Sequence, residues 1–287
     1  MLIDFHTHTN CSDGHLSAAQ LVSLARSRLN ALAITDHNST FDLRELRSRY
    51  CNSMDTDIEL IQGSEISCLH NGHEIHVVAL GFDPTNEKMM QVFKENTCDR
   101  RPYAEAILEK LRTCSIYLSY EDVVRANDGC SYVARPQIAH AMVAHGYCKS
   151  TTEAMDIYIG NFGLRKAFAD NPTKKNYVTM EHAVDAIRSA GGVPVLAHLF
   201  YYQLGHDENI RLIRTFKELA GDCAAMETEY GIYTRLQRDH LKELCQQFGL
   251  LASAGSDFHG VDPKETLLDQ DFDHARIDPL LERLGLK

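Results

Sequence analysis

His6 and His8 stand one residue apart, directly after the apolar run 2–5. Alternate residues of an extended chain project to the same side, so both imidazoles can reach one cation. Asp13 follows in Ser12-Asp13-Gly14, and a second apolar run, 31–35, ends on Asp36-His37. Imidazoles and carboxylates gathered at strand ends describe a metal site, and a site of this kind points to hydrolysis.

Further groups of the same chemistry follow later runs. Glu65 comes after the run 58–63, His198 after 193–197, and Asp257 and His259 after 251–253, in Gly255-Ser256-Asp257-Phe258-His259-Gly260. His76 opens its run instead of closing it, which a strand of reversed direction would explain. In α/β barrels catalytic groups collect at the C-terminal ends of the strands. The candidate ligands are therefore His6, His8, Asp13, His37, Glu65, His76, His198, Asp257 and His259. One ion takes roughly four to six ligands, so this set implies two or three divalent cations. Mixed imidazole and carboxylate donors suit Zn, Mn or Fe(II). Three carboxylates cannot cancel three dications, so the loaded site would be positive and would attract phosphate. Asp4 and Asp36 read as carboxylates that orient ligand imidazoles from behind. A lone histidine is more often a surface or core residue than a ligand, and the other histidines keep that reading; His15, beside Asp13, is left open.

These groups need a scaffold. Seven apolar runs, at 2–5, 31–35, 58–63, 76–82, 193–197, 224–227 and 251–253, alternate with helical patterns. That alternation predicts an α/β fold with a largely parallel sheet, built as a barrel. Ser17, Thr40 and Thr179 are placed to cap helices, and 209–219 and 234–248 carry further helical patterns. Residues 88–177 break the alternation, with helical patterns at 101–111, 120–126, 135–144 and 152–159. They are expected to form a helical insertion over the barrel mouth, with 1–87 and 178–287 forming the barrel.

Composition narrows the function. The chain has 287 residues and a formal net charge of -11, unlike the basic surface of a non-specific nucleic-acid binder. No apolar run approaches the roughly 18 residues of a membrane span, and no signal-peptide pattern opens the sequence. Its nine cysteines are odd in number and contain no CxxC pair, so reduced thiols and a cytoplasmic location are expected. No obligate protein partner is evident.

The series HxH, SDG, TDH, G-x-E-x-S, a later His, A-H and GSDFHG resembles the polymerase and histidinol phosphatase (PHP) superfamily, from Leu2 to Gly260. The resemblance implies a distorted (β/α)7 barrel and a phosphoesterase with three metals. It implies that His6, His8, Glu65 and Asp257 hold one ion. Glu65 would bridge to a second held by His76 and His198, and Asp13, His37 and His259 would hold the third. A metal-bound hydroxide would attack phosphorus.

The insertion and the Arg100-Arg101 pair near its start resemble the branch of nucleoside 3',5'-bisphosphate phosphatases and RNA 5'-end trimming enzymes. That branch carries Arg-Pro-His-Ile-Ala; this chain has Arg135-Pro136-Gln137-Ile138-Ala139. Arg135 can grip phosphate bidentately, whereas Gln137 cannot donate a catalytic proton. Leu199 replaces a usual Pro, and Tyr233 stands at a usual His. Arg135, Arg100, Arg101 and Tyr233 are the candidates for contacting substrate phosphate. The general acid stays unassigned among metal-held water, Tyr233 and a His beside the ligands. A small anionic phosphorylated metabolite is the expected substrate, with a nucleotide phosphomonoester such as a 3',5'-bisphosphate leading. A cyclic phosphodiesterase or a short-RNA 5' exonuclease on the same metals is the alternative. The exonuclease finds Tyr103, Tyr132 and Tyr147 in the insertion but no dense basic and aromatic interleaving. Histidinol phosphate fits the insertion less well, and a non-catalytic accessory domain would be expected to lose ligands that are all kept here.

Overall fold

Short buried stretches of Ile, Val, Leu and Ala form the strands, and amphipathic helices cover them. The structure, a computed structural model, describes residues 1–44, 46, 58–96, 101–127, 133–160, 164, 177–260, 266–267 and 276–287. Strands β1 (Ile3–Asp4), β2 (Ala31–Ala33) and β3 (Glu59–Ile61) make one parallel sheet in that order. Strands β4 (Gly63–His70), β5 (His73–Leu80), β6 (Val193–Leu196), β7 (Ala225–Tyr230) and β8 (Leu251–Gly255) make a second. Within it β5 runs antiparallel to β4 and β6, while β6, β7 and β8 are parallel.

Both margins of the larger sheet join the smaller one. At one, the Phe5 N–H donates to the Ala254 carbonyl at 3.1 Å and Thr7 bridges to Phe258. At the other, the Glu65 N–H donates to the Thr35 carbonyl at 3.0 Å and His37 bridges to Glu65. Every strand but β4 sends apolar side chains into one interior cluster, among them Ile3, Ala33, Val78, Val195, Ala225 and Ala254.

Strand β4 is the departure from the seven expected strands. Its inward residues Glu65 and Ser67 are polar, so its apolar alternation is weak. It pairs with β5 through Asn71-Gly72, both at positive φ (49° and 82°). Asn-Gly suits a two-residue hairpin because both positions must adopt φ > 0. Glu65 therefore lies inside a strand rather than after one. His76 lies within the antiparallel β5, the reversed direction its position required.

Helix α1 (Ala18–Arg26) is capped by the Ser17 side chain and buries Leu21, Val22 and Ala25. The helix expected after Thr40 lies largely outside the described residues; the Thr40 hydroxyl donates to the Gly63 carbonyl at 2.8 Å. Helix α2 (Glu87–Asn96) packs Met89, Val92 and Phe93 into the cluster that backs the larger sheet. The helical middle follows as α3 (Arg101–Arg112), α4 (Tyr120–Ala126), α5 (Arg135–Ala144) and α6 (Thr151–Ala154), which runs on into a π turn at Met155–Ile159. These helices share their own core, including Ile107, Leu111, Val123, Ile138, Met142 and Ile159. Thr179 caps α7 (Met180–Ser189). It, α8 (His206–Ala220) and α9 (Arg235–Phe248) cover the outer face of the larger sheet, and α10 (Asp278–Arg283) closes the described chain. Among the described residues no helix is long and apolar enough to cross a membrane.

Candidate metal centre

The ends of β1 and β8 are zipped together, and each carries two candidate ligands. The Asp257 N–H donates to the His6 carbonyl, and the His8 N–H to the Phe258 carbonyl, both at 2.8 Å. His198 follows β6 after Ala197. His198 and Asp257 both have positive φ (26° and 57°), a region that costs a non-glycine residue about 1–3 kcal/mol and is tolerated where the surroundings enforce it. Gly255, just before this turn, makes room for a ligand. A Cβ there would stand 2.4 Å from the His6 Cβ and 3.0 Å from the Glu227 Oε1. Gly255→Ala is expected to lower stability by about 1–3 kcal/mol, read as a lower melting temperature; an unchanged melting temperature would contradict the packing.

All nine candidate ligands converge, with Glu65 at their centre. Its Oε1 lies 3.3 Å from His6 Nε2, 2.9 Å from His76 Nδ1 and 3.0 Å from His198 Nε2. Its Oε2 lies 3.4 Å from His8 Nε2 and 3.1 Å from His37 Nδ1. The Asp257 Oδ1 stands 3.4 Å from His6 Nε2 and 3.1 Å from His8 Nε2. The Asp13 Oδ1 is 3.3 Å from both His8 Nδ1 and His259 Nε2, and its Oδ2 is 3.4 Å from His37 Nε2. Two buried nitrogens, His6 Nε2 and His37 Nδ1, face these oxygens without forming a hydrogen bond. Nitrogen and carboxylate donors aimed at shared space are the set that a divalent cation completes.

The electrostatics agree. Burial opposes the charge on Glu65, yet His37, His76 and His6 hold its carboxyl well below the usual range. Burial likewise opposes Asp13 and Asp257, and the facing histidines hold both well below it. Burial pushes His6 down, but Glu227, Glu65 and Asp257 outweigh it and raise the ring well above its ordinary value. His76 is raised against its burial by Glu65 and Glu74. His8 is lowered by burial and by His259.

The imidazole is oriented by a residue absent from the sequence reading. The Glu227 Oε1 lies 2.6 Å from His6 Nδ1, and its Oε2 accepts the His198 N–H at 2.6 Å. A bulge in β7 between Glu227 and Glu229 re-aims the strand. Glu227 thus faces the centre while Glu229 faces α9, pairing with Lys242 at 2.5 Å and Arg238 at 3.5 Å. Two glutamates at a strand end were the available signal, but not which one turns inward. Tyr230 donates its hydroxyl to Asp257 Oδ2 at 2.6 Å, and Glu74 Oε1 lies 3.4 Å from His76 Nε2. Asp4 and Asp36, expected to orient rings, tie down the ligand loops. Asp36 accepts the Thr9 N–H at 2.8 Å, the Thr9 hydroxyl at 2.5 Å and the Ser12 hydroxyl. Asp4 accepts the Ser256 N–H at 2.9 Å and its hydroxyl at 2.6 Å.

The candidate phosphate contacts divide. Arg135 opens α5, half-buried; burial opposes its charge, and the Asp13 carboxylate supports it. Gln137 caps α5 by accepting the Ala134 N–H at 3.0 Å, and its Nε2 donates to the Ser12 carbonyl at 3.4 Å. The structure places Arg101 on the surface, paired with Glu105 at 2.7 Å and Glu121 at 2.8 Å. Arg100 lies outside the described residues. The Tyr233 hydroxyl accepts the Phe200 N–H at 2.9 Å and the ring is buried against Tyr230. Tyr233 thus braces the turn after His198, and burial pushes its phenol up.

The PHP domain family matches residues 4–239. The 5'-3' exoribonuclease Rnm of Escherichia coli is 34% identical over 262 residues, which cover 90% of this chain and 85% of that protein. The 3',5'-nucleoside bisphosphate phosphatase of Chromobacterium violaceum is 28% identical over 263 residues, covering 90% of this chain and 87% of that protein. A solved structure of an amidohydrolase from Chromobacterium violaceum, with bound sulfate and no metal, matches at a TM-score of 0.85 and 26% identity, covering 99% of this chain and 96% of that one.

Proposed function

The chain belongs to the PHP domain family and is a metal-dependent phosphoesterase, and on that premise we propose that it removes a terminal phosphate from a small nucleotide such as a nucleoside 3',5'-bisphosphate. The approach of the insertion to the centre carries this reading. Gln137 bonds the loop that bears Asp13, and the Arg135 guanidinium is near enough to feel the Asp13 charge. A cover this close suits a phosphate at the end of a molecule. The links at both margins of the larger sheet support reading the two sheets as one distorted barrel with this insertion over its mouth.

His6, His8, Glu65 and Asp257 would hold one divalent cation, Glu65, His76 and His198 a second, and Asp13, His37 and His259 a third. The contact of Glu65 with five imidazoles supports its place between the first two. Bound there, such ions neutralise phosphoryl oxygens and lower the pKa of water. The chain itself supplies the rest. Glu227 holds the His6 ring and the His198 backbone in one frame, Tyr230 fixes the Asp257 carboxylate, and Arg135 grips phosphate from the insertion side.

A second reading, a 5'-3' exoribonuclease on the same centre, is favoured by the higher identity of the relative of that name. Manganese-loaded protein incubated with adenosine 3',5'-bisphosphate, 5'-phosphorylated short RNA, a ribose cyclic phosphate and histidinol phosphate separates the two. Fastest phosphate release from the bisphosphate is the expected result. Fastest mononucleotide release from RNA would replace it with the second reading. No release from any of the four, with metal bound, would overturn both.

A further inference from the structure

Strands β5 and β6 bring together two imidazoles that face one oxygen of Glu65. His76 lies within β5, and His198 comes just after β6. His76 Nδ1 and His198 Nε2 stand 2.9 and 3.0 Å from Glu65 Oε1. Their rings meet edge-on, with centroids 5.2 Å apart at 76°. A cation held by both needs its ligands placed to within about 0.5 Å. The gap between the paired ends of β5 and β6 must therefore be set.

The last rung between these strands is opened by a side chain. The antiparallel register places Val77 opposite Leu196, so His76 and Ala197 form the next pair. The Ala197 N–H donates to the His76 carbonyl at 3.2 Å. The return path runs through the Tyr202 hydroxyl, which accepts the His76 N–H at 3.0 Å and donates to the Ala197 carbonyl at 2.8 Å. The same hydroxyl lies 3.2 Å from the His76 carbonyl, but a phenol has one proton to give and the Ala197 oxygen is nearer. Tyr202 reaches this point because the 3-10 turn Leu199–Tyr202 starts at His198. Its ring packs against the apolar core of the larger sheet. It also meets the His198 ring edge-on, with centroids 5.4 Å apart at 64°. One residue thus holds the backbone of His76 and the ring of His198.

We propose that Tyr202 is a positioning residue for the metal centre: its hydroxyl, inserted into the last rung between β5 and β6, sets the separation of His76 and His198. This rests on reading those two histidines as ligands of one cation. Without the hydroxyl, the His76 N–H and the Ala197 carbonyl have two courses. They stay unpaired, at a cost in free energy, or they close on each other to about 2.9 Å. Either course moves His198, the residue after Ala197, relative to His76.

The test is equilibrium dialysis of manganese against the metal-stripped full chain, which gives the number of ions bound and the Kd of each. Circular dichroism checks folding. The proteins are the wild type, Tyr202→Phe, His76→Ala and the double variant. Tyr202→Phe keeps the ring on His198 and removes only the hydroxyl. It is expected to weaken one ion roughly ten- to hundredfold and to leave the others at wild-type affinity. His76→Ala is expected to lose that ion, and the double variant to match His76→Ala, because Tyr202 acts through the His76 and His198 pair. A hydroxyl that served only the fold would weaken all ions alike, or none, in both backgrounds. Wild-type Kd values in Tyr202→Phe, an equal weakening of every ion, or a further loss in the double variant would each overturn the proposal. So would a Tyr202→Phe chain that does not fold, since the hydroxyl would then serve the fold. Wild-type number and affinity of ions in His76→Ala would instead overturn the reading of His76 as a ligand.

Discussion

Glu65→Ala is expected to abolish phosphate release and to strip metal from the purified chain. One carboxylate stands 2.9 to 3.4 Å from nitrogens of five histidines, so its loss exposes all five to one another at once. Removing one partner of a buried charge pair costs about 3–5 kcal/mol. That corresponds to roughly two to four orders of magnitude in metal affinity. Glu65→Gln keeps the side-chain volume and one acceptor oxygen but not the charge, and is expected to retain more metal than Glu65→Ala while remaining nearly inactive. Metal content by elemental analysis, with circular dichroism to confirm folding, reads the effect. Wild-type metal content and turnover in Glu65→Ala would remove Glu65 from the centre.

Stripping the metal with a chelator is expected to lower the melting temperature and to change its pH dependence. In the stripped chain, His6 and His76 are raised well above their ordinary value. Their contribution to stability is complete below about pH 6.5 and is lost as pH rises through their folded values. Asp13, Glu65 and Asp257 are held well below the usual carboxylate range. Their contribution is complete above about pH 4.5 and is lost as pH falls through their folded values. His8, lowered by burial and His259, works the other way and disfavours the folded state on acidification. The stripped chain is therefore expected to be most stable between about pH 4.5 and 6.5 and to lose stability towards pH 8. Cations replace the protons on His6 and His76, so metal binding releases protons and tightens as pH rises, by about tenfold per pH unit for each proton displaced. Bound metal at about a thousand times its Kd restores about 4 kcal/mol. Calorimetry of manganese binding in buffers of different ionisation enthalpy measures the protons directly. Binding that releases none and does not change from pH 6 to 8 would contradict the charge arrangement.

Much of the centre was legible in the sequence because its signals are local. His6 and His8 sit at alternate positions after an apolar run, and His37, His198, Asp257 and His259 follow runs that become strands β2, β6 and β8. The helix caps at Ser17 and Thr179 and the spans of α4 and α5 were local in the same way. Strand β4 was missed because Glu65 and Ser67, which face inward, weaken its alternation. Asn71-Gly72 was the overlooked sign of the hairpin.

The sequence by itself thus determined the candidate ligands and the class of chemistry, since both follow from residue types at short spacings. Only the tertiary structure decided how the set is wired. His6 and Glu227 are 221 positions apart, and no periodicity links them. The bulge that turns Glu227 inward and Glu229 towards Lys242 depends on β7 pairing with β8. The bond from Gln137 Nε2 to the Ser12 carbonyl depends on how α5 packs against the loop after β1. Spacing along a chain encodes direction within one element, whereas contacts between elements arise only when packing brings their faces together.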